Sequence, residues 1–206
     1  CNAKTGCQNA AVPDETTCDV GKVCASGKCI KRFAKQLSVG YTGTCALRHD
    51  ATVWCWGFDY TCGGGWCWSP HAIGGLPDTV HVDVGGSHAC AAGKDGLVRC
   101  WGTAEKGALG NFTCSLTNNA TPQVVPGVTG AVSVDTASSE STALTSDGKL
   151  WQWGYNISGS FGIGTCHYDL GCSGKAALHP TIAGAVKATL GSPYVNTSMF
   201  SLVLTP

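Results

Sequence analysis

VDVGGSHACAAGKDGLVRCWG, residues 82–102, reads as two short apolar runs around a Lys-Asp-Gly turn, closed by Trp-Gly. That pattern is a β-hairpin signal, because Asp-Gly supplies the backbone geometry a tight reversal needs. The phrase recurs without a gap at 37–57 as LSVGYTGTCALRHDATVWCWG and at 134–154 as VDTASSESTALTSDGKLWQWG. Gly57 to Gly102 is 45 residues and Gly102 to Gly154 is 52, the added residues falling after the Trp-Gly. A glycine follows each Trp-Gly glycine by eight positions (Gly65, Gly110, Gly162), and Pro70, Pro122 and Pro180 come after it. A fourth copy begins near Ala188, with Gly191 standing where Gly40 and Gly85 stand. Copy one has Ala51 at the turn-glycine position, which weakens its signal. No stretch longer than about ten residues carries a helical stripe. The 29 glycines suit tight turns better than helices. The chain therefore reads as all-β, built by radial or linear repetition.

Trp56, Trp101 and Trp153 hold one register beside a glycine, so they are expected to be buried and equivalent, packing each sheet on its neighbour. Cys45 and Cys55 occupy two positions of copy one, and Cys90 and Cys100 the same two of copy two. In copy three both change together, to Thr142 and Gln152, as a bonded pair would. The ten-residue separation places each pair face to face on adjacent strands, within disulfide reach. Cys62 with Cys67 and Cys166 with Cys172 are expected as local loop bridges. The pairing of Cys1, Cys7, Cys18, Cys24, Cys29 and Cys114 stays open among 15 combinations.

Fourteen cysteines point to an oxidising compartment, and a secreted or cell-surface location is expected. No tight CxxC…CxxC set occurs, so no metal is expected. Residues 1–33 have too few large apolar side chains for a core and must be held by disulfides. Thirteen basic and thirteen acidic residues leave no clustered charge for a nucleic-acid backbone. No apolar run is long enough for a transmembrane helix. Asn111, Asn119, Asn156 and Asn196 each open a glycosylation sequon.

The pattern V-x-x-G-x-x-H-x-C-A-x, Asp-Gly, V-x-C-W-G, carried best by Gly85, His88, Cys90, Asp95, Gly96, Trp101 and Gly102, resembles the regulator of chromosome condensation repeat family. The cysteine-containing form is similar to secreted versions of myxobacteria and their relatives, whose Cys-rich stretches the front segment also resembles. The resemblance implies a β-propeller, usually of seven four-stranded blades. Over 34–206 it implies a partial propeller, with blades near 37–80, 81–132 and 133–185 and the start of a fourth at 186–206. Residues 186–206 are expected to pair with strands from outside residues 1–185. Copy three departs from the pattern with Ala137 and Glu140 in place of Gly85 and His88, and copy one with Gly43 at the histidine position.

Catalytic chemistry is poorly served. His167, Asp169 and Ser173 do not make a hydrolytic set without a nucleophile turn, and no G-x-S-x-G occurs. Rossmann, P-loop and HExxH motifs are absent, so no cofactor and no enzymatic activity are expected. What remains is a secreted or cell-surface non-enzymatic scaffold, expected to be a structural or self-assembling component of an extracellular appendage or coat that self-associates or joins another extracellular protein. The alternative is a protein- or carbohydrate-binding module. Its candidate contacts are Trp66 and Trp68, read as exposed loop aromatics, with Tyr155, His167 and Tyr168. The segments 58–70, 103–122 and 155–180 are expected to gather on one side as its variable face.

Overall fold

The computed structural model describes residues 17–19, 22–25, 28–31, 34–62, 65–112, 114, 117–156, 159–162, 172–190 and 201–204. Expectations for Cys1, Cys7, Cys166, His167, Tyr168 and Asn196 lie outside these residues. A small antiparallel sheet comes first, of β1 (Thr17–Asp19), β2 (Lys22–Ala25) and β3 (Lys28–Lys31), with Cys24 opposite Cys29 in register. Three four-stranded antiparallel meanders follow. Blade 1 is β4 (Gln36–Val39), β5 (Gly43–Leu47), β6 (Val53–Asp59) and β7 (Gly65–Ala72). Blade 2 is β8 (Thr79–Val84), β9 (His88–Gly93), β10 (Val98–Thr103) and β11 (Asn118–Val124). Blade 3 is β12 (Ala131–Thr136), β13 (Glu140–Thr145), β14 (Leu150–Tyr155) and β15 (Cys172–Leu178). The pair β16 (Lys187–Leu190) and β17 (Ser201–Leu204) closes the chain, so the pairing seen in residues 186–206 is internal to that segment.

Each repeated phrase spans the first three strands of a blade, and its punctuation has a geometric cause. The turn residues Gly96 and Gly148 take φ of 74° and 75°. Ala51 takes the same left-handed conformation, at φ 63°. The Asp50 carboxylate compensates by accepting from the Thr52 backbone N–H (3.1 Å) and hydroxyl (2.6 Å). The glycine after each repeat tryptophan has no such substitute. Gly57, Gly102 and Gly154 have φ of 94°, 102° and 102°, and an added Cβ would stand 2.2–2.5 Å from the carbonyl of Thr42, Ser87 or Ser139. The Trp-Gly glycine thus lets the third strand pass directly under the first hairpin of its own blade.

The core lies between blades. Trp101 packs in a cluster with Cys45, Leu47, Val53 and Cys55 of blade 1. Trp153 packs in a second cluster with Cys90, Val98 and Cys100 of blade 2. Cys45–Cys55 and Cys90–Cys100 are disulfides joining directly opposed residues, with Cα atoms 4.1 Å apart in both. Each bridge is therefore the floor on which the next blade's indole rests. Blade 3 has Thr142 opposite Gln152 at this place, both buried, so its corresponding face is polar.

Trp56 departs from the expected equivalence. It is only half-buried, because no described blade precedes it. Leu37 and Val39 beside it are 62% and 74% exposed, whereas Val82 and Val134, which stand where Leu37 stands, are 0% and 2% exposed. The same residue type is core or surface according to whether a neighbouring sheet covers it. Trp101→Ala and Trp153→Ala should each cost about 3–5 kcal/mol in chemical denaturation. Trp56→Ala should cost less than about half as much, since part of its surface already meets water. Equal losses at all three positions would show that the packing is not as described.

Candidate functional site

Two features of the described surface offer chemistry. The first is the end of the blades where the β4–β5, β8–β9 and β12–β13 hairpins meet. In an up-and-down meander the connection from third to fourth strand reaches that same end, so the variable segments begin there. The loop after Trp101 shows what such a connection does. It makes a 3-10 turn at Glu105–Gly107 and buries Ala104 and Leu109 against blade 3. The Ala108 carbonyl then accepts from Trp153 Nε1–H (2.9 Å) and from the Ser141 hydroxyl (3.0 Å). Because that hydroxyl proton is committed, His88 Nε2–H is the donor to Ser141 Oγ (2.8 Å). Burial holds the His88 pKa down, to about 4, so the ring is neutral. Gly110, eight residues after Trp-Gly, is needed because an added Cβ would lie 2.9 Å from the Trp153 ring.

The inner strands carry a second polar chain. Ser38, Asp83, Asp135 and Thr189 occupy one position in four successive copies. The Ser38 hydroxyl donates to Asp83 Oδ1 (2.5 Å), and Thr136 donates to Asp83 Oδ2 through its N–H and hydroxyl (both 2.7 Å). Leu190 N–H donates to Asp135 Oδ2 (3.0 Å), and Thr189 also donates to that carboxyl. The Asp83 carboxyl lies close to that of Asp135 and opposes its ionisation. Desolvation and the nearby Asp83 raise the Asp135 pKa to about 6. Asp83, Asp135 and Thr136 line a cavity of about 730 Å³ whose walls also include Val39, Tyr41, Ser138, Glu105 and Lys106. Tyr155, a candidate from the sequence, is half-buried outside the cavity lining, with the Lys106 ammonium 4.2 Å above its ring.

The second feature is aromatic. Trp66 and Trp68 lie on β7, an edge strand, rather than in a loop. They are 56% and 90% exposed and stack on each other, centroids 5.9 Å apart at 23°. Phe58 meets Trp66 edge-on at 5.7 Å. Cys62 and Cys67 are disulfide-bonded beside the strip. Cys114, left unassigned by the sequence, is disulfide-bonded too. Tyr155 belongs to a different blade and is not part of this strip.

Among the sequons, Asn156 must be corrected. It is fully buried and its Oδ1 accepts the Phe161 N–H (3.2 Å), so it cannot carry a glycan in the folded chain. Asn111 bridges to Lys175 and Asn119 lies half-buried on β11. Among the described residues, no three His, Cys, Asp or Glu side chains gather as a metal site, and no helix is long and apolar enough to cross a membrane. The carboxyl chain, Tyr41 and Lys106 were not singled out in the sequence, and Glu140 stood out there only as the residue at the His88 position of copy three. Repetition of Val-Asp at 82–83 and 134–135 was the available signal for the two aspartates.

No family model matches the chain. The chain is 32% identical over 127 residues to the RCC1 domain-containing protein RUG3, mitochondrial, of Arabidopsis thaliana, covering 57% of this chain and 28% of that protein. It is 29% identical over 82 residues to the Regulator of chromosome condensation of Drosophila melanogaster, covering 40% of this chain and 15% of the relative. The chain's repeats are similar to those of RCC1-repeat β-propeller proteins. Its fold is like that of human WBSCR16 (TM-score 0.68, 19% identity, 82% of this chain and 44% of that one). It is also like that of Prp20p from Saccharomyces cerevisiae (TM-score 0.63, 17% identity, 90% and 52%). The chain thus spans less than a third of the two curated relatives and about half of the solved propellers.

The buried ionisable groups set a pH dependence. Burial also raises Glu140, to about 7; Ser160 donates to its Oε1 (2.8 Å) and Oε2 is buried without a partner. Asp135 and Glu140 bind protons more tightly folded than unfolded. Their stabilisation is therefore full below the unfolded carboxyl range and is lost as pH rises through about 6 and about 7. His88 acts oppositely, since its stabilisation is present above 6.5 and is lost as pH falls toward about 4. Burial also lowers His81 and His179, which act in the same sense as His88. On acidification from pH 7.5 to 5 the denaturation midpoint of the wild type should therefore rise relative to that of an Asp135→Asn, Glu140→Gln double variant. Midpoints of the two that move in parallel would refute the assignment.

Proposed function

We propose that the chain is a non-enzymatic recognition module of the extracytoplasmic space, which binds protein at the hairpin end of its blades. The observation that carries this reading is the cavity there. It is walled by exposed Tyr41 and Val39 and by Lys106, with no acid–base pair set around a nucleophile. His88, the ring closest to such a role, is neutral and engaged with Ser141. Rigid repeats that present loops from one end are suited to binding. Family precedent agrees at the coarse level, since yeast RCC1 was solved bound to Kap60 and Prp20p is described by its binding to Gsp1p and histones. The extracytoplasmic setting rests on the disulfides, which a reducing cytosol does not maintain. The full chain, immobilised, should retain a protein from the source's extracellular fraction. The Tyr41→Ala, Lys106→Ala variant should retain about tenfold less of it, the loss of roughly 1.4 kcal/mol. Equal retention by both would overturn the reading.

A second reading, self-assembly, is favoured by blade 1. Its outward face carries Leu37 and the half-buried Trp56 at positions that the other blades bury, with Val39 exposed beside them. A single 21.1 kDa species across a hundredfold concentration range in sedimentation would eliminate it.

A further inference from the structure

The aromatic strip on blade 1 is not explained by the propeller. Pairing register places Trp66, Trp68 and Pro70 where blade 2 has Asn118, Ala120 and Pro122 and where blade 3 has Cys172, Gly174 and Ala176. The proline is shared with blade 2, whereas the two tryptophans are peculiar to blade 1. The fold therefore has no structural use for indoles there. Alternation along β7 turns Trp66, Trp68 and Pro70 to one side and Cys67 and His71 to the other. His71 is engaged on that other side by Thr61 (2.6 Å). The two rings, parallel within 23°, form a bench whose outer face is open, and Phe58 braces its inner end. The strand that carries it is tied by the adjacent Cys62–Cys67 bridge. A rigid aromatic platform is thus held ready on a surface where a free Trp would gain by being covered.

Charge narrows what covers it. No Lys or Arg occurs between Arg48 and Lys94, and β7 itself contains no charged residue. A phosphate or sulfate backbone would find no counter-charge here. A large protein interface would need a polar rim around a buried apolar centre, whereas this strip stands out from an edge strand. The surviving chemistry is an uncharged ligand with a flat apolar face and a polar edge, small enough to sit on two indoles. A sugar ring has that form, with its C–H face against the ring and its hydroxyls toward water.

We propose that Trp66 and Trp68 form a stacking site for neutral saccharide chains, separate from the cavity at the hairpin end. Affinity electrophoresis of the full chain tests it, in native gels containing a neutral β-glucan, soluble chitin oligomers or mannan, with dextran sulfate as the charged control. At least one neutral glycan should retard the chain, and dextran sulfate should not. Trp66→Ala and Trp68→Ala should each weaken retardation by about tenfold. Both variants should keep the wild-type denaturation midpoint, since these indoles are exposed. Tyr41→Ala, Lys106→Ala should leave retardation unchanged, which separates this site from the protein-binding reading. Retardation by none of the neutral glycans, by dextran sulfate alone, or equally in the Trp variants would overturn the proposal. So would a proline-rich peptide that binds through the two tryptophans while no glycan does.

Discussion

The structure depends on a tryptophan of one blade lying on the central strands of the blade before it. Between blades 2 and 3 the contact is complete: Trp153 rests on the Cys90–Cys100 bridge and donates to the Ala108 carbonyl. That carbonyl also receives Ser141, which in turn receives His88. The apolar part supplies most of the stabilisation. The polar part fixes the angle, because a buried donor left unmet would cost more than the bond contributes. Four residues from two blades and one loop must agree for either blade to sit correctly. Repetition follows, since a blade with one apolar face covered still needs the next.

The loop after Trp101 is therefore a strap as well as a variable segment. Ala104 and Leu109 go into the core and Ala108 offers its carbonyl, while Glu105 and Lys106 remain at the cavity rim. One short connection both joins two blades and shapes the surface available to a partner. The inner strands solve the same problem with polar groups. Gln36 reaches across to bond the Val82 carbonyl (2.8 Å) and N–H (3.2 Å), extending sheet-like bonding from β4 to β8. Ser38, Asp83, Asp135 and Thr189 continue the seam around the axis at the cost of placing two carboxyls together.

Blade 1 and blade 3 differ from blade 2 in opposite ways. Blade 1 keeps the disulfide floor but exposes its own incoming face, with Leu37, Val39 and Trp56 partly or largely uncovered. Blade 3 seats its tryptophan fully but offers a polar outgoing face of Glu140, Thr142 and Gln152. The joint replacement of two cysteines in copy three is thus the loss of a floor as well as of a bond.

Much of the architecture was legible in the repeated phrase itself. Strand, turn, strand and Trp-Gly are short-range features, set by alternation and by φ values that few residues other than glycine adopt. The disulfide pairs could be read for a related reason: two positions that change together in one copy must touch. What no reading of the phrase decides is which face another sheet covers. Trp56, Trp101 and Trp153 are the same word in sequence, yet two are core and one is half-exposed, because burial belongs to the neighbour and not to the residue. Asn156 carries a sequon and is sealed inside for the same reason. Trp66 and Trp68 looked like loop residues because Gly63, Gly64 and Gly65 precede them. Only pairing with β6 makes them a strand and aims both rings outward. The axial aspartates were visible as letters in every alignment of the copies. Their proximity exists only once four inner strands converge on one axis, which is a property of the assembled blades.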